Sequence, residues 1–252
     1  MRVQIIGVGV VGSAQAYLAS HLGHEVIGVD HHRTEFEHAK MVTDIEADVA
    51  LTFICTPERA VPGVVEDIVE RHVKGLCIIK STVPIRTTQR LTEKHRIHIC
   101  HNPEFLRESS AFEDVLHPSV VVIGECCAKH GQLLRDFYRP LGAPIMVTEP
   151  TVSETVKLTL NAYLSTLITF WNQIDKITAS LGISTEEVAA ITKLNPRVSE
   201  YGTAFFGSPF GGKCLPKDLD QLIEGSNQLG VKPELLELIK DFNEKLTDGH
   251  AV

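Results

Sequence analysis

The constraint that acts first on this chain is the run RVQIIGVGVVGSAQAYLASHLGHEVIGVD at its start. A short apolar stretch, Arg2 to Ile6, passes directly into glycines 7, 9 and 12. A segment with helical character follows from Ser13 to Leu22, is closed by Gly23, and leads to a second apolar stretch from His24 to Val29 that ends on Asp30. Strand, glycine turn, helix, strand and acid in that order make the dinucleotide-binding pattern. Gly7 permits the tight turn, Gly9 lets backbone meet a pyrophosphate, and Gly12 lets the helix pack close. Val10 and Val11 sit where the helix N-terminus would receive the phosphate charge. Asp30 suits the two hydroxyls of an adenosine ribose and repels a 2′-phosphate, so the expected cofactor is NAD. His31, His32 and Arg33 follow at once and would soften that preference or form a solvated loop.

The alternation continues. Apolar runs at Leu51–Cys55, Leu76–Lys80, Ile97–Cys100 and Ser119–Gly124 are separated by helical segments, one from Glu58 to Val73 and another after STVP, Ser81 to Pro84. Such a pattern predicts a parallel sheet covered on both faces, with ligands beyond the strand C-terminal ends, where Thr56, Pro57, Ser81 and Thr82 stand. The stretch from Asp30 to Ala50 is short and polar, with room for one short helix. In HNPEFLRESSAFEDVLHPS, Glu104 and Glu108 are spaced to share one face of a helical turn; the competing reading is a solvent-exposed connection.

From about Pro150 the pattern becomes all helix, so the chain divides into a Rossmann-like domain over 1–148 and a helical domain over 149–252. Thr151 and Glu154 have capping-box spacing at the head of a long apolar segment running to about Leu181 and stopped by Gly182. Glu154, Lys157 and Asn161 line one face of it. Ser184 and Glu187 repeat the box, and two more helices are expected at Pro216–Gly230 and Pro233–Leu246, followed by a frayed TDGHAV tail. Between them lies GSPFGGKCLPKDLD. A helix beginning near Leu215 would hold Cys214 at its positive end between Lys213 and Lys217, a setting that favours the thiolate. A glycine turn around a buried structural thiol is the competing reading.

Composition excludes several classes. A net charge of −8 disfavours nucleic acid and anionic membrane, and nothing approaches the apolar length of a membrane span. The chain opens without a secretory leader pattern. Six cysteines without CxxC spacing predict reduced thiols in a cytoplasmic protein, with neither a disulfide frame nor a metal site.

In collinear order, GVGVVG with Asp30, STVP, HNPEFLRESSAFEDVLHPSVVVIG, ETVKLTLNAYLSTLITFWN, NPR and FGGKCLPKD resemble the UDP-glucose/GDP-mannose dehydrogenase family. The resemblance implies oxidation of a nucleotide-sugar primary alcohol to a carboxylate, with two NAD+ used per product. It implies Cys214 as the nucleophile, Lys157 and Asn161 as oxyanion stabilisers, and Glu104, Asp218 and a water on Thr82 as the acid–base set. Thr56, Pro57, Thr82, Glu108 and Lys217 would complete the NAD site. Phe105, Leu106, Arg107, Lys157, Asn161, Arg197 and Gly211 would line the substrate, with Arg197 reaching a neighbouring subunit. The helix from Thr151 would form a homodimer. Family members carry a third, nucleotide-gripping domain, a segment after Asp30 and a slightly different loop around Ser208–Pro209; this chain is expected to be a compact member without that domain. Two other readings stay open: a two-electron β-hydroxyacid-type dehydrogenase, which needs no cysteine, and a non-catalytic NAD-binding subunit.

Overall fold

The computed structural model describes residues 1–249, and the end of the TDGHAV tail, His250 to Val252, lies outside them. The chain forms two compact units, residues 1–157 and residues 158 onward. That places the division inside a helix, a little beyond the boundary expected near 148.

The first unit is a sheet of eight strands: β1 (Arg2–Ile6), β2 (Glu25–Val29), β3 (Lys40–Val42), β4 (Leu51–Ile54), β5 (Leu76–Ile79), β6 (Ile99–His101), β7 (Val121–Gly124) and β8 (Ile145–Thr148), in the order β3-β2-β1-β4-β5-β6-β7-β8. The helices of this unit are α1 (Val10–His21), α2 (Val61–Glu70), α3 (Thr87–His95), α4 (Ala111–Leu116) and α5 (Ala128–Tyr138). Side chains alternate between two buried layers because strand residues point to opposite faces in turn. Val3, Ile5, Leu51, Phe53, Leu76 and Ile78 enter one core with α1, α4 and α5. Ile6, Ile54, Cys77 and Ile79 enter the other with α2 and α3. Strands buried on both faces read as unbroken apolar runs, which is how the central ones were recognisable.

Three expectations need correction. The polar stretch after Asp30 holds strand β3, paired in parallel with β2, in place of a short helix. Strand β8 was not anticipated, and its register with β7 runs from Val121↔Ile145 to Gly124↔Thr148. The sheet is not wholly parallel, since β6 and β7 meet antiparallel at His101↔Gly124.

The long helix α6 (Pro150–Leu181) starts one residue earlier than its supposed cap, so Thr151 lies inside it. Glu154 serves a different helix. Its carboxylate accepts from the backbone amides of Arg86 (2.6 Å) and Thr88 (2.8 Å) and from the Thr88 hydroxyl (2.6 Å). It thereby closes the N-terminus of α3, whose own N-cap, Arg86, has a left-handed backbone (φ 67°) and no side-chain cap. Burial pushes this carboxyl up, against the pull of the Thr88 and Arg86 donors.

The second unit is helical: the remainder of α6, then α7 (Thr185–Thr192), α8 (Glu200–Thr203), α9 (Leu215–Gln228) and α10 (Glu234–Gly249). The Ser184 box forms as expected, with Ser184 Oγ accepting from Glu187 N at 3.1 Å. Ala162, Ile168, Phe210, Leu219 and Ile239 make its core.

Replacing Glu154 by Ala should cost about 2 kcal/mol or more in chemical unfolding, because two helix-start amides lose their acceptor in a buried place. Glu154→Gln keeps an acceptor and should cost less; equal losses in the two variants would show that the cap is not what the carboxylate supplies.

Candidate functional site

In the first unit the glycine turn sits at the C-terminal end of β1. Gly7 has φ +86°, and a Cβ there would lie 2.9 Å from Thr56 Cγ2 and from its backbone nitrogen. A Cβ on Gly12 would stand 1.8 Å from the Gly7 carbonyl oxygen, so helix and turn touch only because both residues are glycine. Around Gly9, the N-cap of α1, there is open space. That combination leaves room for a diphosphate against the helix N-terminus. Val10 is exposed and Val11 half-buried in the first turn.

Asp30, at the end of β2, accepts from the backbone amides of Val8 (2.7 Å), His32 (2.8 Å) and Arg33 (3.1 Å). Burial pushes its carboxyl up, but these amides together outweigh it and hold Asp30 below the usual carboxylate range, so it stays ionised. Arg33 turns back over the loop, donating to Val8 O at 3.1 Å and to the Ser13 hydroxyl, and lies 4.4 Å from the centre of the Phe36 ring. At the end of β4, the buried Thr56 hydroxyl has no hydrogen-bond partner, while Pro57 beside it is exposed. Ser81 ties the next strand end to this one by donating to Thr56 O at 2.6 Å. Thr82 follows, half-buried. An ionised acid, an unclaimed hydroxyl and open space over Gly9 fit the ribose and diphosphate of a dinucleotide.

The segment after β6 has no regular secondary structure from Asn102 to Arg107 and enters a 3-10 turn at Glu108. Glu104 and Glu108 therefore do not share a helical face, and of the two readings the connecting segment is the one that holds. Glu104 pairs with Lys157 at 3.1 Å in a nearly dry setting, the side chains being 11% and 6% exposed. Its other oxygen accepts from Leu106 N at 2.7 Å, and Lys157 Nζ lies 5.7 Å from the Phe105 ring centre. Arg107 is exposed and clasps Asp114 with Nη2 at 2.6 Å and Nε at 3.1 Å. That clasp holds the Asp114 carboxyl well below the usual range. Glu108 is exposed.

The sequence reading missed Lys80. At the end of β5 its Nζ donates to Asn102 Oδ1 at 2.9 Å, and Asn102 also accepts from the Tyr138 hydroxyl. Burial lowers Lys80 to about 8. Lys80, Asn102, Phe105 and Leu106 line one cavity of this unit. The only sequence signal was a lysine closing an apolar strand, which usually means a side chain reaching solvent.

In the second unit Cys214 is the N-cap of α9 and is exposed, which removes the buried-thiol reading. Gly212, two residues before it, has φ +75°, and Gly211 and Gly212 face open space. Asp218, one turn into the helix and 1% exposed, accepts a short hydrogen bond from Asn161 Nδ2. Lys217 Nζ lies 2.8 Å from its other oxygen. Asn243 on α10 accepts from Phe210 N at 2.8 Å and donates to Phe210 O at 2.9 Å, clamping the loop ahead of the cysteine. Asn172 holds the same loop through Ser208 O at 2.8 Å. Neither asparagine was anticipated, because nothing local distinguishes it from a helix-surface amide. Arg197 is exposed and folds onto its own loop, with Nε 3.2 Å from Asn195 Oδ1.

Residues 40–142 match the NAD binding domain of the UDP-glucose/GDP-mannose dehydrogenase family, and residues 151–245 match its central domain. The chain belongs to that family. It is 29% identical to UDP-glucose 6-dehydrogenase YwqF of Bacillus subtilis over 96% of its own length and 66% of that protein's. It is 30% identical to GDP-mannose 6-dehydrogenase of Pseudomonas aeruginosa, over 94% of this chain and 66% of that protein. The fold matches a UDP-glucose dehydrogenase structure from Pyrobaculum islandicum with a TM-score of 0.89 and 26% identity, covering 97% of this chain and 68% of that one. The chain thus spans about two thirds of the length of these relatives.

Lys80 supplies a pH test. Its folded value near 8 lies below its ordinary 10.5. Between those values the unfolded chain keeps a proton that the folded chain has released, so stability rises with pH across the window. Relative to Lys80→Met, the wild type should gain up to about 3 kcal/mol between pH 7 and pH 10.5 in denaturant unfolding. A difference between the two that stays constant over this range would refute a low Lys80 value.

Proposed function

We propose that this family member is a cytoplasmic enzyme that oxidises the primary alcohol of a nucleotide sugar to the carboxylate through a cysteine-bound intermediate. The observation that carries the reading is Cys214, exposed at the start of a 14-residue helix, with a buried Asp218 one turn behind it held by Asn161 and Lys217. A helix N-terminus favours the sulfur as thiolate, and an acid on the following turn suits proton transfer.

Bound NAD+ supplies the two-electron acceptor for each oxidation. Loss of the hydroxyl proton to a base and of a hydride from the same carbon gives the aldehyde. Cys214 Sγ then adds to the aldehyde carbon, giving a thiohemiacetal whose oxyanion Lys157 and Asn161 stabilise. The second oxidation leaves a thioester on Cys214. A water positioned by Thr82, with Glu104 and Asp218 as the acid–base pair, breaks the carbon–sulfur bond and returns the thiol. The balance is one alcohol, one water and two NAD+ in, and one carboxylate, two NADH and three protons out. Glu108 and Lys217 are assigned to the cofactor, and Phe105, Leu106, Arg107, Arg197 and Gly211 to the sugar nucleotide.

The helix α6 supports a homodimer. Leu160, Tyr163, Phe170, Ile177 and Leu181 recur at spacings of three, four and seven along it, and all are exposed, Tyr163, Phe170 and Leu181 by more than half. A stripe of that kind on a long helix suits a second copy.

With UDP-glucose and GDP-mannose as trial substrates, two NADH should appear for each carboxylate formed, and Cys214→Ala should make no acid. One NADH per turnover with full activity in Cys214→Ala would replace this reading with a two-electron dehydrogenase; NAD binding without turnover would favour a non-catalytic subunit. Sedimentation should give a dimer that Phe170→Glu converts to monomer, and a wild-type monomer would remove the α6 interface.

A further inference from the structure

The second chemistry-bearing cluster lies in the first unit, where β6 begins and α5 begins. His98 immediately precedes β6, Cys126 and Cys127 follow β7, and His130 is in the first turn of α5. Because β6 and β7 run antiparallel from His101↔Gly124, residues after Gly124 lie beside residues before His101. That register brings the Cys126–Cys127 pair to His98. One ligand atom from each of the four side chains falls within 4.8 Å of all the others. His130 Nδ1 is 3.1 Å from Cys126 Sγ and 3.3 Å from Cys127 Sγ, and the His98 and His130 rings meet edge to face with centroids 4.9 Å apart.

We propose that His98, Cys126, Cys127 and His130 form a four-coordinate site for a thiophilic divalent ion, zinc foremost. Tetrahedral bonds of about 2.0–2.3 Å place ligand atoms roughly 3.3–3.8 Å apart; the His130–Cys127 distance of 3.3 Å meets that range, the His130–Cys126 distance of 3.1 Å falls just short of it, and the whole set needs only a small adjustment. Two thiolates and two neutral imidazoles balance a 2+ charge, and binding releases two thiol protons to solvent. The donor set is soft and holds no oxygen, which selects against magnesium and calcium. Cys100 provides support behind the ligands: its thiol donates to Cys126 Sγ at 3.6 Å and its sulfur accepts from Cys126 N at 3.5 Å.

Four protein ligands make a closed, structural site, not a catalytic one. An ion there would pin the beginning of β6, the end of β7 and the first turn of α5 to one point. The lack of CxxC spacing hid this set, because one of the four ligands, His98, is contributed across an antiparallel strand pair.

The test is an anaerobic titration of the reduced full chain with Co2+, followed by competition with Zn2+. One equivalent should saturate a thiolate-to-cobalt charge-transfer band, and Zn2+ should displace it. Cys127→Ser and His98→Ala should each weaken binding by more than the roughly 10- to 100-fold that outer-shell changes cost, and Cys100→Ala should fall within that range. His98 is exposed, so its variant keeps the test valid if a cysteine variant fails to fold. Absence of the band at one equivalent overturns the proposal. So does a band that persists in His98→Ala and Cys127→Ser, or a Cys100–Cys126 disulfide in a protein whose reduced form takes up no ion.

Discussion

The first unit depends on a contact that only glycine allows. With the Gly7 carbonyl 1.8 Å from where a Gly12 Cβ would be, any side chain at position 12 would drive α1 away from the turn. The displacement would reach Val8, whose amide binds Asp30, and Ser13, whose hydroxyl receives Arg33. The ionised state of Asp30 rests on three amides from that same neighbourhood. Cofactor geometry and cofactor electrostatics thus share one steric condition.

A second theme is polar side chains used far from the segment that carries them. Glu154 belongs to α6 by sequence and to the start of α3 by function. Asn102 follows β6, yet it joins Lys80 to Tyr138 and donates to Val122 O. Each is a buried group that needs partners and finds them across the fold, which is what low-dielectric burial demands.

This separates what the sequence made legible from what it did not. Glycine spacing, the terminal acid of β2, central strands apolar on both faces, and Cys214 next to a helix start are local patterns with local causes, and they appeared where they were expected. Strands β3 and β8 were missed because an edge strand needs less apolar sequence: the three residues of β3 are exposed or half-buried. Glu104 and Glu108 stood between a shared helical face and an exposed connection because spacing alone cannot tell an irregular segment from a turn. Glu154, Lys80, Asn243 and the His98–Cys126–Cys127–His130 set escaped for a common reason, since their roles are defined by partners distant in sequence.

Asn243 carries a temporal consequence. It fixes the Phe210 backbone through both of its amide atoms from 33 positions downstream. A ribosome-bound chain therefore exposes Cys214 before it holds the residue that shapes the loop around it. Cys214 acquires its setting only when α10 has been made and has docked, so the arranged cysteine loop is a property of the nearly finished unit rather than of the glycines alone.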